Sequence, residues 1–351
     1  MFSKRELPAN TIPALGNKTK LLAAFFTAFF FICLGASLGS TGIRFSETLS
    51  IVSRTIFFLP LNDTDPKTVF IVLNIRLPRV LLAFLAGGCL SVSGLITQSI
   101  LKNQLASPYI LGVSSGASLG AALVLLGGFV FPLVGAFTLP FTGFIGAMLT
   151  VFLVVSFSSK LDKTISNNTI ILFGMVFSLF VNALLTTLFA LYREELKNLI
   201  VWQMGSFANK GWSYIRILLP FLVTGLLGLM YYAKEMDILS FGDEQASAIG
   251  VEVQKLKRNL LICSAILTGS AVSLCGAIGF VDLIAPHIAR KIVGSRHKIL
   301  IPIAFLAGGS LCVSADIIAR IIVSPSELPV GAITALIGTP FFIWVYFKKS
   351  R

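Results

Sequence analysis

Stretches of about 20 residues without a charged side chain recur along the 351-residue chain. A helix needs about 20 mostly apolar residues to cross a bilayer, so each stretch predicts one membrane span. Seven stretches supply one span each: residues 21–43, 80–101, 164–192, 217–233, 259–281, 299–315 and 328–347. Residues 103–159 are long enough for two spans, with Pro132 and Pro140 where a turn between helices is needed. The pattern predicts an all-α, polytopic membrane bundle in one domain, residues 1–351.

The number of spans has to agree with the charges at the two ends of the chain. Both ends are basic, through Lys4, Arg5, Lys18 and Lys20 and through Lys348, Lys349 and Arg351. The positive-inside rule therefore places both termini, including a tail of residues 1–20, in the cytoplasm. Nine spans cannot return the chain to the side where it began. A short helix at residues 283–293 restores an even number, and we expect about ten transmembrane helices.

Composition agrees with a membrane protein, because 56% of the residues are apolar and 12% are charged, against about 25% charged in soluble domains. The net charge of +13 indicates inside loops and contact with anionic lipid, and no pattern typical of a nucleic-acid surface is present. The five cysteines lie in apolar stretches without metal-ligand spacing, and there are two histidines, so no metal site is expected.

Three arginines stand on the predicted outer side, where topology does not require them. Arg76 and Arg79 precede the second helix, and Arg320 lies near the outer end of the ninth. An arginine at membrane depth costs about 2.5 to 3.5 kcal/mol, so we expect these groups at the interface or beside a carboxylate. They either snorkel to lipid phosphates or dock an external protein through its carboxylates.

The longest predicted cytoplasmic loop is the segment of residues 234–258, called here the coupling segment. Its charged background is interrupted by the small and apolar residues Ala246, Ala248, Ile249 and Val251, in a pattern that suits a short helix lying against a partner protein. A plain solvated loop is the alternative.

Glycines and serines form two further patterns. Gly112, Gly116 and Gly120 have the spacing that lets helices approach closely in lipid. The decapeptides FLAGGCLSVS at 84–93 and FLAGGSLCVS at 305–314 agree at eight positions, on helices predicted to run in opposite directions. Inverted repeats are common in transporters, so the repeated decapeptide suggests a transporter, whereas the glycine spacing indicates close helix packing.

Two observations bear on chemistry. No GxxxxGK followed by Ser or Thr occurs, so the chain is expected to be no enzyme and to bind no cofactor, and any ATP must be hydrolysed by another chain. Asp282 lies between apolar residues without a basic neighbour in sequence. It either lines a transport path or gate, or caps the short eighth helix, and the two interpretations are even.

Five ordered motifs together resemble the FecCD-like permeases of type II ATP-binding-cassette importers, over nearly the whole chain. They are IRLPRVLLAFLAG at 75–87, NQLASPYILGVSSGASLGA at 103–121, GDEQASAIGV at 242–251, GAIGFVDLIAPHIAR at 276–290, and ADIIAR at 315–320 followed by ELPVGAITALIGTPFF at 327–342. Two positions depart from the family's usual pattern: Asp282, commonly Gly, and Gln104, commonly Pro.

The resemblance implies a multi-pass protein of the bacterial cytoplasmic membrane, paired with a second permease subunit, identical or paralogous. Its further implied partners are two cytoplasmic ATPase subunits and an external substrate-binding lipoprotein. It implies that Arg76, Arg79 and Arg320 meet glutamates of the binding protein. It also implies that residues 242–250 contact the ATPase, which binds ATP and Mg²⁺. The candidate contact residues are Gly242, Asp243, Glu244, Ala246, Ala248 and Gly250. The substrate is expected to be an iron chelate, a ferric siderophore by family frequency, with haem or cobalamin as alternatives. An ion-coupled secondary transporter is the rival of another class, and Asp282 is its candidate ion site.

Overall fold

The computed structural model describes residues 16–39, 42–61, 64–161, 166–194 and 196–349, and these residues are helical without a β-strand. Most of the predicted N-terminal tail, with Lys4 and Arg5, lies outside the described residues, as does Arg351. The helices are α1 Asn17–Ser37, α2 Phe45–Ile56, α3 Pro66–Phe70, α4 Leu77–Leu101, α5 Val113–Gly127, α6 Thr138–Leu161, α7 Asn167–Leu191, α8 Lys197–Gln203, α9 Trp212–Tyr231, α10 Ala233–Leu239, α11 Asp243–Ala248, α12 Val253–Cys275, α13 Val281–Val293, α14 His297–Ile321 and α15 Val330–Lys349. A π-helical turn, Ile71–Arg76, joins α3 to α4, and 3-10 turns lie at Pro108–Leu111 and Gly135–Phe137.

Every predicted stretch contains a helix, and the long stretch 103–159 divides into α5 and α6 as expected. In the described part of the chain, seven helices are long and apolar enough to cross a membrane, while α5 and the apolar part of α15 are shorter. The predicted short helix is present as α13. The helical membrane fold is thus confirmed, and the count of ten spans stays a prediction.

Four shorter helices, α2, α3, α8 and α10, were not predicted. The helix α2 carries serines, Glu47 and Arg54 along one face and apolar residues along the other. A search for charge-free stretches cannot find such an amphipathic helix, because its apolar residues are spaced by helical period and are not contiguous.

The centre of the bundle is α4, of which almost every residue is buried. It packs against α14, α12, α13, α1 and α9. The outer helices differ, because α1 and α7 expose large apolar side chains such as Phe26 and Leu179. Lipid accepts such side chains as readily as a protein core does, so both kinds of helix are equally apolar in sequence.

The two repeated decapeptides face each other across the antiparallel contact of α4 with α14. The Phe84 ring lies over Gly309, and the Phe305 ring lies over Gly88, which are equivalent positions in the repeat. The two rings meet edge to face with their centroids 5.9 Å apart. The repeat suspected from the sequence thus forms a local two-fold contact at the core of the fold.

Close backbone approach makes this contact possible. A Cβ built on Gly87 would lie 2.4 Å from the carbonyl oxygen of Gly308, and a Cβ on Gly308 would lie 2.5 Å from that of Gly87. The predicted packing glycines of α5 behave alike: a Cβ on Gly116 would lie 2.5 Å from the Gly146 carbonyl oxygen of α6. Small residues at these positions let helices pack through their backbones in lipid.

We predict that Gly87→Ala destabilises the permease by about 1 to 3 kcal/mol, because the new methyl group overpacks the α4–α14 contact. In an open helix position the same change would stabilise the helix by up to about 1 kcal/mol. Thermal unfolding in detergent measures the effect. Gly42→Ala, at an exposed position between α1 and α2 where a Cβ meets nothing within 4 Å, is the control, and equal melting temperatures for the two variants would refute the packing argument.

Candidate functional site

The three predicted arginines lie together at one end of the bundle. Because α4 and α14 are antiparallel, Arg79 in the first turn of α4 meets Arg320 in the last turn of α14. Arg76 ends the π-helical turn that leads into α4. The three side chains, together with Glu327, line a cavity of about 260 Å³. These residues and Asp316 are called here the outer arginine cluster.

Two of the arginines hold the end of α1. Arg76 donates from Nη1 to the carbonyl of Ser37 at 2.5 Å. Arg320 donates from Nη1 to the carbonyl of Leu38 and from Nη2 to that of Gly35, both at 3.0 Å. The last carbonyls of a helix have no partner within the helix and carry partial negative charge, so two guanidinium groups satisfy and neutralise this end.

Arg79 is held by two carboxylates. Its Nη2 lies 2.8 Å from Asp316 Oδ1, and its Nε also donates to Asp316 at 3.1 Å. Its Nη1 and Nη2 donate to the two oxygens of Glu327 at 2.7 and 2.9 Å. Asp316 is fully buried and also contacts Arg320 Nε at 3.1 Å, so it bridges the two arginines.

Burial decides between the two interpretations of these arginines. Arg76, Arg79 and Arg320 are 5, 9 and 6% exposed, so they do not snorkel into lipid headgroups. The expectation of a carboxylate partner is correct for Arg79 and Arg320. Whether a binding protein docks on them stays a prediction.

Asp316 and Glu327 were not recognised as site residues from the sequence. Asp316 stands four residues before Arg320 on a helix, a spacing that brings opposite charges together and could have identified it. Glu327 lies in the connection to α15, and the hydrogen bond from Arg79 lowers the pKa of its carboxyl below the usual range. It is therefore charged at neutral pH.

The coupling segment is at the opposite end of the bundle and is largely helical. It contains most of α10, all of α11 and the first turn of α12, and the expected short helix is α11. Gly242 and Gly250 flank α11 with φ angles of 137° and 94°, which favour glycine.

The candidate contact residues of this segment divide into two groups. Ala246 is completely buried, so its side chain packs inside the permease and is not exposed to a partner. Glu244, Ala248 and Gly250 are exposed. Two large apolar side chains nearby, Phe241 and Ile249, are 77 and 70% exposed, and apolar groups exposed together mark interaction surfaces.

Asp243 joins α11 to two other helices. Its carboxylate accepts from Lys102 at the end of α4 at 2.7 Å and from Lys257 of α12 at 2.5 Å. Burial raises the pKa of Asp243, but the hydrogen bonds from both lysines outweigh it and hold the pKa below the usual value. The carboxylate therefore stays charged at neutral pH and keeps both contacts.

Asp237 of α10 makes a second connection that the sequence did not reveal. Asp237 Oδ1 accepts from the backbone N–H of His297 at 2.9 Å and lies 2.6 Å from its ring Nδ1. The other ring nitrogen, Nε2, lies 2.9 Å from Ser99 Oγ of α4. Asp237 and Asp243, with Ser99, Lys102, Lys257 and His297, are called here the inner clamp. They attach α10 and α11 to α4, α12 and α14.

Asp282 lies in the first turn of α13 and is 1% exposed. Ser107 donates to its carboxylate, and Gln98 donates to its backbone carbonyl at 3.1 Å. A Cβ on Gly94 would lie 2.0 Å from that carbonyl oxygen, so α13 begins directly against α4. The N-cap of α13 is Phe280, which makes no side-chain capping hydrogen bond, and Asp282 Oδ1 has no hydrogen-bond partner among the described residues. The first helical turn favours a carboxylate, but no capping hydrogen bond from Asp282 is observed there. The path or gate role stays a prediction.

Comparison with known proteins agrees with this architecture. The sequence model of the FecCD transport family matches residues 26–348. This chain belongs to the FecCD transport family. It is a multi-pass protein of the cytoplasmic membrane, as the sequence predicted.

Curated relatives are similar over most of their length. The uncharacterized ABC transporter permease protein YvrB of Bacillus subtilis (strain 168) is 39% identical over 333 residues, 94% of each chain. The iron(3+)-hydroxamate import system permease protein FhuG of the same organism is 37% identical, over 92% of this chain and 94% of the relative. The cobalamin import system permease protein BtuC of Halobacterium salinarum is also 37% identical, over 82 and 76%.

A solved structure has the same fold. It is an inward-facing conformation of a metal-chelate type ABC transporter, with a TM-score of 0.81 and 28% sequence identity. The match covers 94% of this chain and 99% of that one.

We predict that Asp316→Asn destabilises the permease by about 3 to 5 kcal/mol, because Arg79 and Arg320 lose a fully buried counter-charge. Thermal unfolding of the purified protein measures the loss. Asp65→Asn, at the N-cap of α3, is the matched control, since asparagine caps a helix as well as aspartate does. A melting temperature of Asp316→Asn equal to that of the control would contradict the bridging role.

Proposed function

We propose that this FecCD-family permease forms the membrane path of an importer that carries a ferric siderophore into the cytoplasm. One observation carries the proposal: the outer arginine cluster and the inner clamp lie at opposite ends of the same two packed helices, α4 and α14. Each of these helices has 25 residues and is about 37 Å long, enough to connect the two membrane surfaces.

The proposed assembly contains a second permease subunit, two cytoplasmic ATPase subunits that bind ATP and Mg²⁺, and an external substrate-binding lipoprotein. The binding protein would dock its carboxylates on the outer arginine cluster, because a guanidinium binds a carboxylate through two parallel hydrogen bonds. The ATPase would contact the exposed side of α11 with Phe241 and Ile249. In this mechanism the permease itself carries out no covalent step.

Transport would proceed by alternating access. Closure of the ATPases moves the coupling segment, and the inner clamp passes this movement to α4, α12 and α14. Such coupling requires that the ATPase bind the inward and outward states with different free energies. The carboxylates Asp237 and Asp243 supply the attachment, since each holds side chains from other helices.

An iron chelate as the transported substrate is supported by the likeness to the iron(3+)-hydroxamate permease and to the metal-chelate type transporter. Haem and cobalamin are the alternatives, because a hemin permease and a cobalamin permease have nearly the same identity to this chain. An ion-coupled secondary transporter is disfavoured, since membership of the FecCD family accounts for the whole span of residues 26–348.

Uptake by a strain lacking this gene tests the substrate. We expect that ferric hydroxamate siderophore accumulates only when the gene is restored, and that labelled haem and cobalamin enter at the same low rate in both strains. A gene-dependent uptake of cobalamin or haem, without that of the siderophore, would assign the alternative.

Ile249→Asp tests the coupling surface. We expect at least a tenfold loss of transport with the permease still folded, because a charge replaces an exposed apolar side chain at the proposed ATPase contact. ATP hydrolysis and uptake are measured together in proteoliposomes, with Ile249→Leu as the control that keeps the apolar contact. Normal coupling in Ile249→Asp would place the ATPase elsewhere.

A further inference from the structure

Glu327 occupies the outer edge of the cluster, where an external carboxylate would arrive. Its side chain is 36% exposed, whereas that of Arg79 is 11% exposed and that of Asp316 is fully buried. The connection that carries it, between α14 and α15, is fixed to α14 by a hydrogen bond from the Leu328 N–H to the Ala319 carbonyl at 3.0 Å. Glu327 thus contacts Arg79 from the outer side, and Asp316 contacts Arg79 from inside the bundle.

The hydrogen bonds of Arg79 show which of its N–H donors Glu327 occupies. A guanidinium has five N–H donors in a planar fork and two edges that can each hold a carboxylate with two hydrogen bonds. Asp316 takes the edge formed by Nε and Nη2. Glu327 takes the edge formed by Nη1 and Nη2. A docking carboxylate therefore finds neither edge of Arg79 open in this conformation.

We propose that Glu327 is an internal competitor that occupies Arg79 until a carboxylate of the external binding protein displaces it. This inference rests on the docking part of the proposed function. It deepens that function by assigning the partner's contact to one edge of one arginine and by giving Glu327 control of docking affinity.

Displacement of Glu327 is physically reasonable, whereas displacement of Asp316 is not. An ion pair that is partly exposed to water contributes little free energy, so an incoming carboxylate can replace it at small cost. Removing buried Asp316 would leave two arginines without a counter-charge. An incoming carboxylate would also repel Glu327, because like charges at hydrogen-bonding distance disfavour each other.

Glu327→Gln tests the proposal, because the amide keeps the size of the side chain but competes weakly for Arg79. The complete importer in nanodiscs, without ATP, is titrated with its fluorescently labelled binding protein. We expect docking to become about two- to fivefold tighter, in the range of a partly exposed ion pair. A role of Glu327 in folding alone would leave docking unchanged or weaken it, and the melting temperature reports folding separately.

Glu194→Gln is the matched control, because Glu194 is exposed beyond the end of α7, on the same side of the bundle. It removes the same charge and so measures the general electrostatic effect on an acidic partner. If Glu327→Gln docks no more tightly than Glu194→Gln, the competitor role is refuted.

Arg79→Lys separates failure of this inference from failure of the docking function. Lysine keeps the positive charge beside Asp316 but loses the bidentate fork. We expect docking at least tenfold weaker than in the wild type. If the Arg79→Lys importer binds its binding protein as tightly as the wild type does, the docking role of Arg79 is wrong. If Arg79→Lys weakens docking while Glu327→Gln has no effect, the docking role of Arg79 is supported and the competitor role of Glu327 is refuted.

Discussion

The close packing of α4 against α14 is the contact on which the rest of the structure depends. Gly87 and Gly308 let the two backbones meet, and the rings of Phe84 and Phe305 pack against each other and against glycines of the opposite helix. Because the helices are antiparallel, the start of each lies beside the end of the other. Arg79 thereby meets Asp316 and Arg320 at one surface, and Ser99 meets His297 at the other. Both polar clusters are consequences of one apolar contact.

Each polar cluster combines a buried charge with a partly exposed one. In the outer arginine cluster, Asp316 is fully buried, whereas Glu327 is 36% exposed. In the inner clamp, the Lys257 side chain is fully buried, whereas its partner Asp243 is 39% exposed and also pairs with partly exposed Lys102. An exposed pair separates at low cost because water solvates its charges, but separating Lys257 from Asp243 would leave a buried charge without its counter-charge. The helix α11 is thus held firmly to α12 and more loosely to the end of α4.

Sequence and structure agree where the deciding property is local. The charge-free stretches located α1, α4, α7, α9, α12, α14 and α15 because helix formation in lipid depends on the composition of each segment alone. The motif around residues 242–251 likewise predicted a short helix, which is α11. Ala246 shows the limit: its size suited either a partner contact or internal packing, and the fold placed it inside.

The sequence by itself determined that the chain is a helical membrane protein without a phosphate loop, with arginines where topology does not require them. Only the tertiary structure decided what neutralises those arginines, since Asp316 and Glu327 are 237 and 248 residues from Arg79. It also decided that Asp237 and His297, 60 residues apart, meet at the other surface. The physical reason is that hydropathy is the same for a residue facing lipid and one facing protein, so contacts between helices become visible only when the helices are packed.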